Sequence, residues 1–385
     1  MKLDGKDDGW MKRIFAIWLA LLLCIMPVAA VDGEDTDTMQ LSSDAAILME
    51  QQTGEILYEK NAHAHLAPAS VTKVMTILLI AEQIDSGALQ RTDPVTASAK
   101  AAAMGGSQVY LEAGESMTVD EMLKCIVIAS ANDCAVAMAE HIAGTESAFV
   151  ERMNTRAAEL GLKDTHFVNC TGLTDDDEHY TSAYDIAVMS REVLRHEWLQ
   201  EYTTLWTDSI RGGEFGLTNT NKLVRTYEGA IGLKTGFTQK AMYCLSAAAK
   251  RNGDVFLAVV LHAPDSAKRF QDAQALLNYG FANYTVYQPA ASIVIPPVRV
   301  SLGTADSLQP AVPDSTAVLT HKGAEMRCEL DMPETVNAPV RAGDALGTLD
   351  VFDGDQLVQQ LPLTAPEEIP RITRTALWCA LLGAL

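Results

Sequence analysis

The chain has 385 residues, more than one ordinary compact unit usually holds, and 48% of them are hydrophobic, enough for a sizeable buried core. Its formal charge of −21 repels phosphate backbones and sets nucleic-acid binding aside; the acidity reads as a solvated surface.

Lys12 and Arg13 precede an apolar run from Ile14 to Met26, and Val28-Ala29-Ala30 offers small residues for cleavage. That is the three-part layout of a secretory signal peptide, and the run is short for a bilayer span, so residues 1–30 are expected to direct export. Asp4, Asp7 and Asp8 dilute the positive end, and Met11 makes the more ordinary start. Leu23 is too large to precede a lipid-modified cysteine, so Cys24 is not read as a lipoprotein anchor. Residues 31–43, acidic and without periodicity, read as a flexible linker.

Strands are predicted at 45–50 and 55–59, joined by Gln51-Gln52-Thr53-Gly54 as a hairpin. Helical spacing then marks 71–84, 119–142 with a break around Ser130-Ala131-Asn132, 148–160 closed by Gly161, and 181–194. Residues 234–249 and 254–262 read as strands about a turn at Arg251-Asn252-Gly253-Asp254, followed by a helix over 266–279. Beyond Phe281 helical spacing disappears. Short alternating runs over 291–363 include a hairpin centred on Asp353-Gly354. The order predicts an α+β fold, with an antiparallel sheet covered by helices and an inserted α-rich subdomain, then a small all-β domain. The expected boundaries are 44–283 for the first domain, 284–366 for the second and 367–385 for a tail. The seven cysteines are scattered, with no C-x-x-C pair, so no metal site is implied; export would permit disulfides, but several lie in apolar runs and should pack as small hydrophobes.

Three short motifs each occur once. Ser70-Val71-Thr72-Lys73 opens the first helix, and residues three apart share a helix face, so the Lys73 amine can approach the Ser70 hydroxyl. Taken alone, the motif reads as an N-capping serine with a solvated lysine. Ser130-Ala131-Asn132 lies between helical runs, and Lys234-Thr235-Gly236 enters a strand. A serine hydroxyl is a poor nucleophile until a base takes its proton. Lys73 can be that base if its amine is neutral, and Lys234 is the cation expected to crowd it and lower its pKa. Ser130 would relay a proton to a leaving amine and Asn132 would hold a substrate amide. Lys234 and Thr235 would bind a carboxylate, and Gly236 would let a substrate backbone lie along the strand. The Ser70 and Phe237 backbone N–H groups are the expected oxyanion donors.

In this order the motifs are the signature of penicillin-binding proteins and serine β-lactamases. Longer stretches resemble the low-molecular-mass D-alanyl-D-alanine carboxypeptidases: residues 68–73, 129–133 and 232–238, then Asn169-Cys170-Thr171-Gly172-Leu173, His179-Tyr180-Thr181-Ser182 and Asn219-Thr220-Asn221. The resemblance is strong over about 45–285 and weak over 290–363. It implies a β-lactamase-like catalytic domain, a C-terminal β-domain and a membrane-tethering tail, with no cofactor. The activity it implies is removal of the terminal D-alanine from peptidoglycan pentapeptides through a Ser70 acyl-enzyme. β-Lactams would inhibit, and the site of action would be the extracytoplasmic face of the membrane. One departure is Ala241-Met242, where the family usually carries Ala-Gly; the larger side chain is expected to tighten packing behind the strand. A β-lactamase is the runner-up, and an idle penicillin-binding scaffold the non-enzyme alternative. Against the first, residues 133–233 lack the Glu-x-x-Leu-Asn loop that activates deacylating water in the commonest penicillinases. His63 and His65 lack a third ligand at sensible spacing and read as surface residues, and His179 as structural.

Overall fold

In the computed structural model, residues 39–313, 316–375 and 378 are described. The expected signal peptide, the linker up to residue 38, Cys24, Cys379 and most of the apolar tail lie outside them.

Ala45–Glu50 (β1) and Ile56–Lys60 (β2) form the first hairpin. The buried Glu50 closes its turn by accepting Gln52 N at 2.9 Å, Thr53 N at 2.6 Å and Thr53 Oγ1 at 2.8 Å. A 3₁₀ turn, Ala69–Thr72, runs into helix Lys73–Asp85 (α1), whose near-continuous apolar sequence matches its burial on most sides. Val119–Lys124 (α2) starts at a reciprocal cap between Thr118 and Glu121. It passes through a π-turn at Cys125–Ala129, and Asn132–Ala143 (α3), Glu146–Glu159 (α4) and Ala183–Arg195 (α5) follow. Ala230–Thr238 (β3), Met242–Arg251 (β4), Asp254–Ala263 (β5) and Ser266–Asn283 (α6) complete this part.

The five strands make one antiparallel sheet in the order β2-β1-β5-β4-β3. Phe256 on β5 packs against Gly280 and Phe281 of α6. Ser246 of β4, opposite Val259, bonds Ser190 of α5 at 2.7 Å. Phe256 and Val259 are three residues apart and so face opposite sides, which means helices cover both faces. That explains why β5 reads as a continuous apolar run and not as an alternation.

Two expectations change here. The single run predicted over 234–249 is two strands, β3 and β4, about a turn at 239–241. Met242, at φ +52°, supplies the left-handed residue that a glycine would normally signal. The departure at 242 is therefore a backbone matter before it is a packing one. The linker is also shorter than expected, because Ser43 is buried and donates from N and Oγ to Asp272 Oδ2, both at 2.8 Å.

From Tyr284 the chain is β-rich, with sheets of two, three and three strands and two small apolar clusters, one around Val300, Val340 and Ile369 and one around Leu349, Val351 and Leu363. The predicted hairpin forms with Asp353 opposite Gln356 across Gly354-Asp355. Asp254 Oδ1 accepts Val286 N at 2.8 Å, tying the two parts together, and the described residues from Ser42 onward form one compact unit.

Candidate active site

Ser70 sits inside the 3₁₀ turn, one residue after Ala69, whose φ is +47°. It caps nothing: the cap position is Pro68, with no side-chain hydrogen bond. Lys73 opens α1, one helical turn on, and its Nζ lies 3.0 Å from Ser70 Oγ. The same Nζ lies 2.5 Å from Asn132 Oδ1 and 3.0 Å from Thr171 O. Lys73 is fully buried, and burial lowers its pKa from 10.5 to about 7 against the opposing pull of Cys170 and Asp133. This corrects the expected cause, since desolvation and not crowding by Lys234 depresses it. The coupling acts on the other lysine: Lys234 is held well below its usual pKa by burial first, then by the charges of Lys73 and Arg269.

The second motif follows the π-turn. The N–H groups of Ser130 and Ala131 both reach back to Cys125 O, and Ser130 adopts φ +63°, ψ +30°, a left-handed conformation costly for a residue with a Cβ. Its buried Oγ has no hydrogen-bond partner among the described residues. Asn132 begins α3. Its amide bridges Lys73 to the 103–113 loop, with Nδ2 donating to Gly105 O at 2.7 Å, so the amide expected to hold substrate is first a brace for the lysine. Asp133 fixes the same loop by accepting from Val109 N and Leu111 N, and also takes Cys134 N of its own helix.

The third motif lies on β3, the edge strand beside the 3₁₀ turn. Lys234 is buried and its Nζ donates to Thr235 O at 2.9 Å; Thr235 Oγ1 donates to Thr220 Oγ1 at 2.7 Å. A Cβ at Gly236 would stand 2.5 Å from Pro68 O and 3.1 Å from Ser70 N. Glycine is needed there for the strand to touch the nucleophile's turn, a different reason from the substrate clearance expected. Phe237 is half exposed and its ring lies 4.4 Å from that of Tyr243.

The eight residues singled out from sequence thus fall on three adjoining elements around Lys73. Sequence reasoning assigned no role to Thr171, Asp133, Thr220 or Arg269. Asn169 Oδ1 accepts the N–H groups of Thr171 and Gly172, and a Cβ at Gly172 would fall 1.8 Å from Ala69 O, so this loop is jammed against the turn with Thr171 O aimed at Lys73. An Asn-x-x-Gly stretch is the one visible signal of that turn. His179 is structural: Nδ1 accepts Val168 N at 3.0 Å, which leaves Nε2–H to meet Thr72 Oγ1 at 2.8 Å. Burial lowers its pKa to about 4. His63 and His65 are exposed and converge on the two oxygens of Asp164. Among the described residues no group of His, Cys, Asp and Glu is arranged for a metal ion.

Residues 32–265 match the family model described as D-alanyl-D-alanine carboxypeptidase, and residues 283–371 match penicillin-binding protein 5, C-terminal domain. The D-alanyl-D-alanine carboxypeptidase DacF of Bacillus subtilis is 40% identical, over 94% of this chain and 95% of its own length. DacA of Escherichia coli is 29% identical over 94% and 93%. Among solved structures, penicillin-binding protein 5 of Haemophilus influenzae superposes with a TM-score of 0.75 at 26% identity, covering 86% of this chain and 99% of that one. Penicillin-binding protein D2 of Listeria monocytogenes, in an ampicillin-bound form, covers 63% of this chain and 99% of that one at TM-score 0.58 and 30% identity.

Proposed function

The chain belongs to the D-alanyl-D-alanine carboxypeptidase family, and from that membership we propose that Ser70 is its nucleophile, Lys73 the base and Ser130 the proton relay. The protein is a serine peptidase that removes the terminal D-alanine of peptidoglycan pentapeptides outside the cytoplasm.

One observation carries the residue assignment. Asn132 Oδ1 and Thr171 O can only accept, so they take both hydrogens of a neutral Lys73 amine. The remaining lone pair then falls to the Ser70 hydroxyl at 3.0 Å, and the amine is half neutral near pH 7. Lys73 takes the Ser70 proton as Oγ attacks the penultimate D-alanine carbonyl, and the oxyanion is met by the Ser70 and Phe237 N–H groups. The proton passes through Ser130 Oγ to the leaving nitrogen, the C–N bond breaks and D-alanine departs. Water then hydrolyses the ester with Lys73 again as base. Lys234 and Thr235 receive the terminal carboxylate, whose charge favours a protonated Lys234 despite its burial. Asn132 offers its second N–H to the substrate amide, and Gly236 keeps the strand within reach.

β-Lactams enter the same path. Asp133 spends its carboxylate on three backbone N–H groups and is no base for the penicilloyl ester, which supports a long-lived adduct over β-lactamase turnover. Residues 44–283 are read as the catalytic domain and 284–366 as the β-rich one. The tail is read as associating with the membrane through the apolar sequence from Thr375 onward, beyond the 369–372 stretch that bonds to the β-rich part. Arg371 and Arg374 would meet headgroups, and Trp378, 66% exposed, the interface. Incubation with pentapeptide should release D-alanine, and fluorescent penicillin followed by peptide mapping should place the label on Ser70. Label on another serine, or undiminished labelling of Ser70→Ala, would overturn the assignment.

A further inference from the structure

Arg269, in the first turn of α6, is buried beneath β3 and β4 and pairs with no carboxylate among the described residues. Nη1 donates to Gly236 O at 3.0 Å and to Cys244 O at 3.3 Å, while Nη2 reaches Ser266 Oγ at 3.5 Å. The guanidinium lies 4.7 Å from the Phe270 ring and 5.4 Å from the Tyr243 ring, and its buried Nε has no partner among the described residues. Burial pulls its pKa from 12.5 down to about 10. A charge held this way, at a desolvation cost and facing backbone carbonyls, is a poor stabilising device. Its principal acceptor suggests another use.

Gly236 O belongs to the peptide unit whose N–H is that of Phe237. This peptide is trans, so its carbonyl and its N–H point in opposite directions across one rigid plane. A donor fixed on the oxygen therefore fixes where the N–H points, and hydrogen bonding at the carbonyl strengthens the N–H as a donor, by ~10–30% per bond. The other side of the same residue is equally constrained, because the Gly236 Cα is pressed against the Ser70 turn. The peptide is gripped from behind by Arg269 and from in front by residues 68–71.

We infer that Arg269 is a positioning residue for the oxyanion site: by holding Gly236 O it orients and polarises the Gly236–Phe237 peptide so that Phe237 N–H meets the charge developing on the scissile carbonyl. The inference rests on the reading of Ser70 as nucleophile and Phe237 N–H as oxyanion donor. It adds a residue outside the three motifs, one that never touches substrate.

The test compares wild type with Arg269→Met, which keeps bulk without a donor, and Arg269→Lys, which keeps charge with a single-point donor. Acylation rate and KM are measured for a peptide acid and its C-terminal amide, and the carbonyl stretch of the penicilloyl ester by infrared difference spectroscopy. Deleting an oxyanion donor outright costs roughly 100- to 1000-fold, so misorienting one should cost Arg269→Met about 10- to 100-fold in acylation rate. KM should stay within about twofold, acid and amide should suffer alike, and the ester stretch should move to higher wavenumber as its hydrogen bond weakens. Arg269→Lys should show a smaller shift of the same sign, and decides the matter if Arg269→Met does not fold. A wild-type rate and stretch in the folded variant would overturn the inference. So would a loss confined to KM for the acid, which would make Arg269 a carboxylate receptor acting through space. Wild type that never labels on Ser70 would instead remove the underlying reading.

Discussion

Replacing Gly236 by alanine puts a methyl carbon 2.5 Å from Pro68 O and 3.1 Å from both Ser70 N and Val71 N. Real carbon atoms do not approach a carbonyl oxygen so closely, and all three obstacles are backbone, so no side chain can swing aside. Strand β3 and the 3₁₀ turn must separate by about 1 Å, and the two expected oxyanion donors, Ser70 N–H and Phe237 N–H, lie on opposite sides of that seam. A displacement of about 1 Å costs on the order of 100-fold in rate, and overpacking of this kind costs ~1–3 kcal/mol of stability. The expected outcome for Gly236→Ala is a folded protein with a lowered melting temperature whose acylation by a fluorescent penicillin is about 100-fold slower. Stopped-flow labelling and a thermal melt on one preparation measure both. Acylation within about threefold of wild type would refute the reasoning, since the strand could then move without disturbing the site.

With Lys73 required in its neutral form, kcat/KM for D-alanine release should rise with pH through a midpoint near 7. Because the folded pKa is depressed, the unfolded chain binds more protons between pH 7 and about 10.4, so stability should rise with pH across that window; Lys73→Met should abolish D-alanine release and reduce that slope, leaving the part due to Lys234. Asp133→Asn leaves one acceptor oxygen for three N–H donors and should lose about 2–3 kcal/mol in urea unfolding. Truncation after residue 374, which spares Ile369 and the strand contacts of 369–372, should move the protein from the membrane to the soluble fraction, and equal recovery of both forms there would remove the anchoring claim.

The legible parts of this molecule were those where local chemistry and position coincide. Ser70 and Lys73 show their contact because helical spacing fixes it, and β5 and the Asp353-Gly354 hairpin carry ordinary strand and turn signals. The turn at 239–241 was hidden because Met242 occupies the position where glycine would have marked it. The cause of the Lys73 shift was hidden too, since Lys234 is visible in sequence as a charge, whereas burial is made by elements distant in the chain, α3 and the 169–172 loop among them. Arg269 was invisible for a related reason. Its partner is a backbone carbonyl 33 residues away, and no side-chain pattern records which peptide plane an arginine will hold.

The π-turn at Cys125–Ala129 also bears on how such a site can be lost by inheritance. A π-turn is an α-helix carrying one residue more than its ladder needs. Deleting any one of these five codons would let the turn relax to α-helical winding. The elements on either side would keep their places, but the wide turn that brings the N–H groups of Ser130 and Ala131 back to Cys125 O would close. Ser130 would lose the left-handed turn that sets its hydroxyl. A frame-preserving loss of a single apolar residue could thus silence the enzyme while every motif letter stayed in place. An alignment that scores the motifs alone would still rank the product as active.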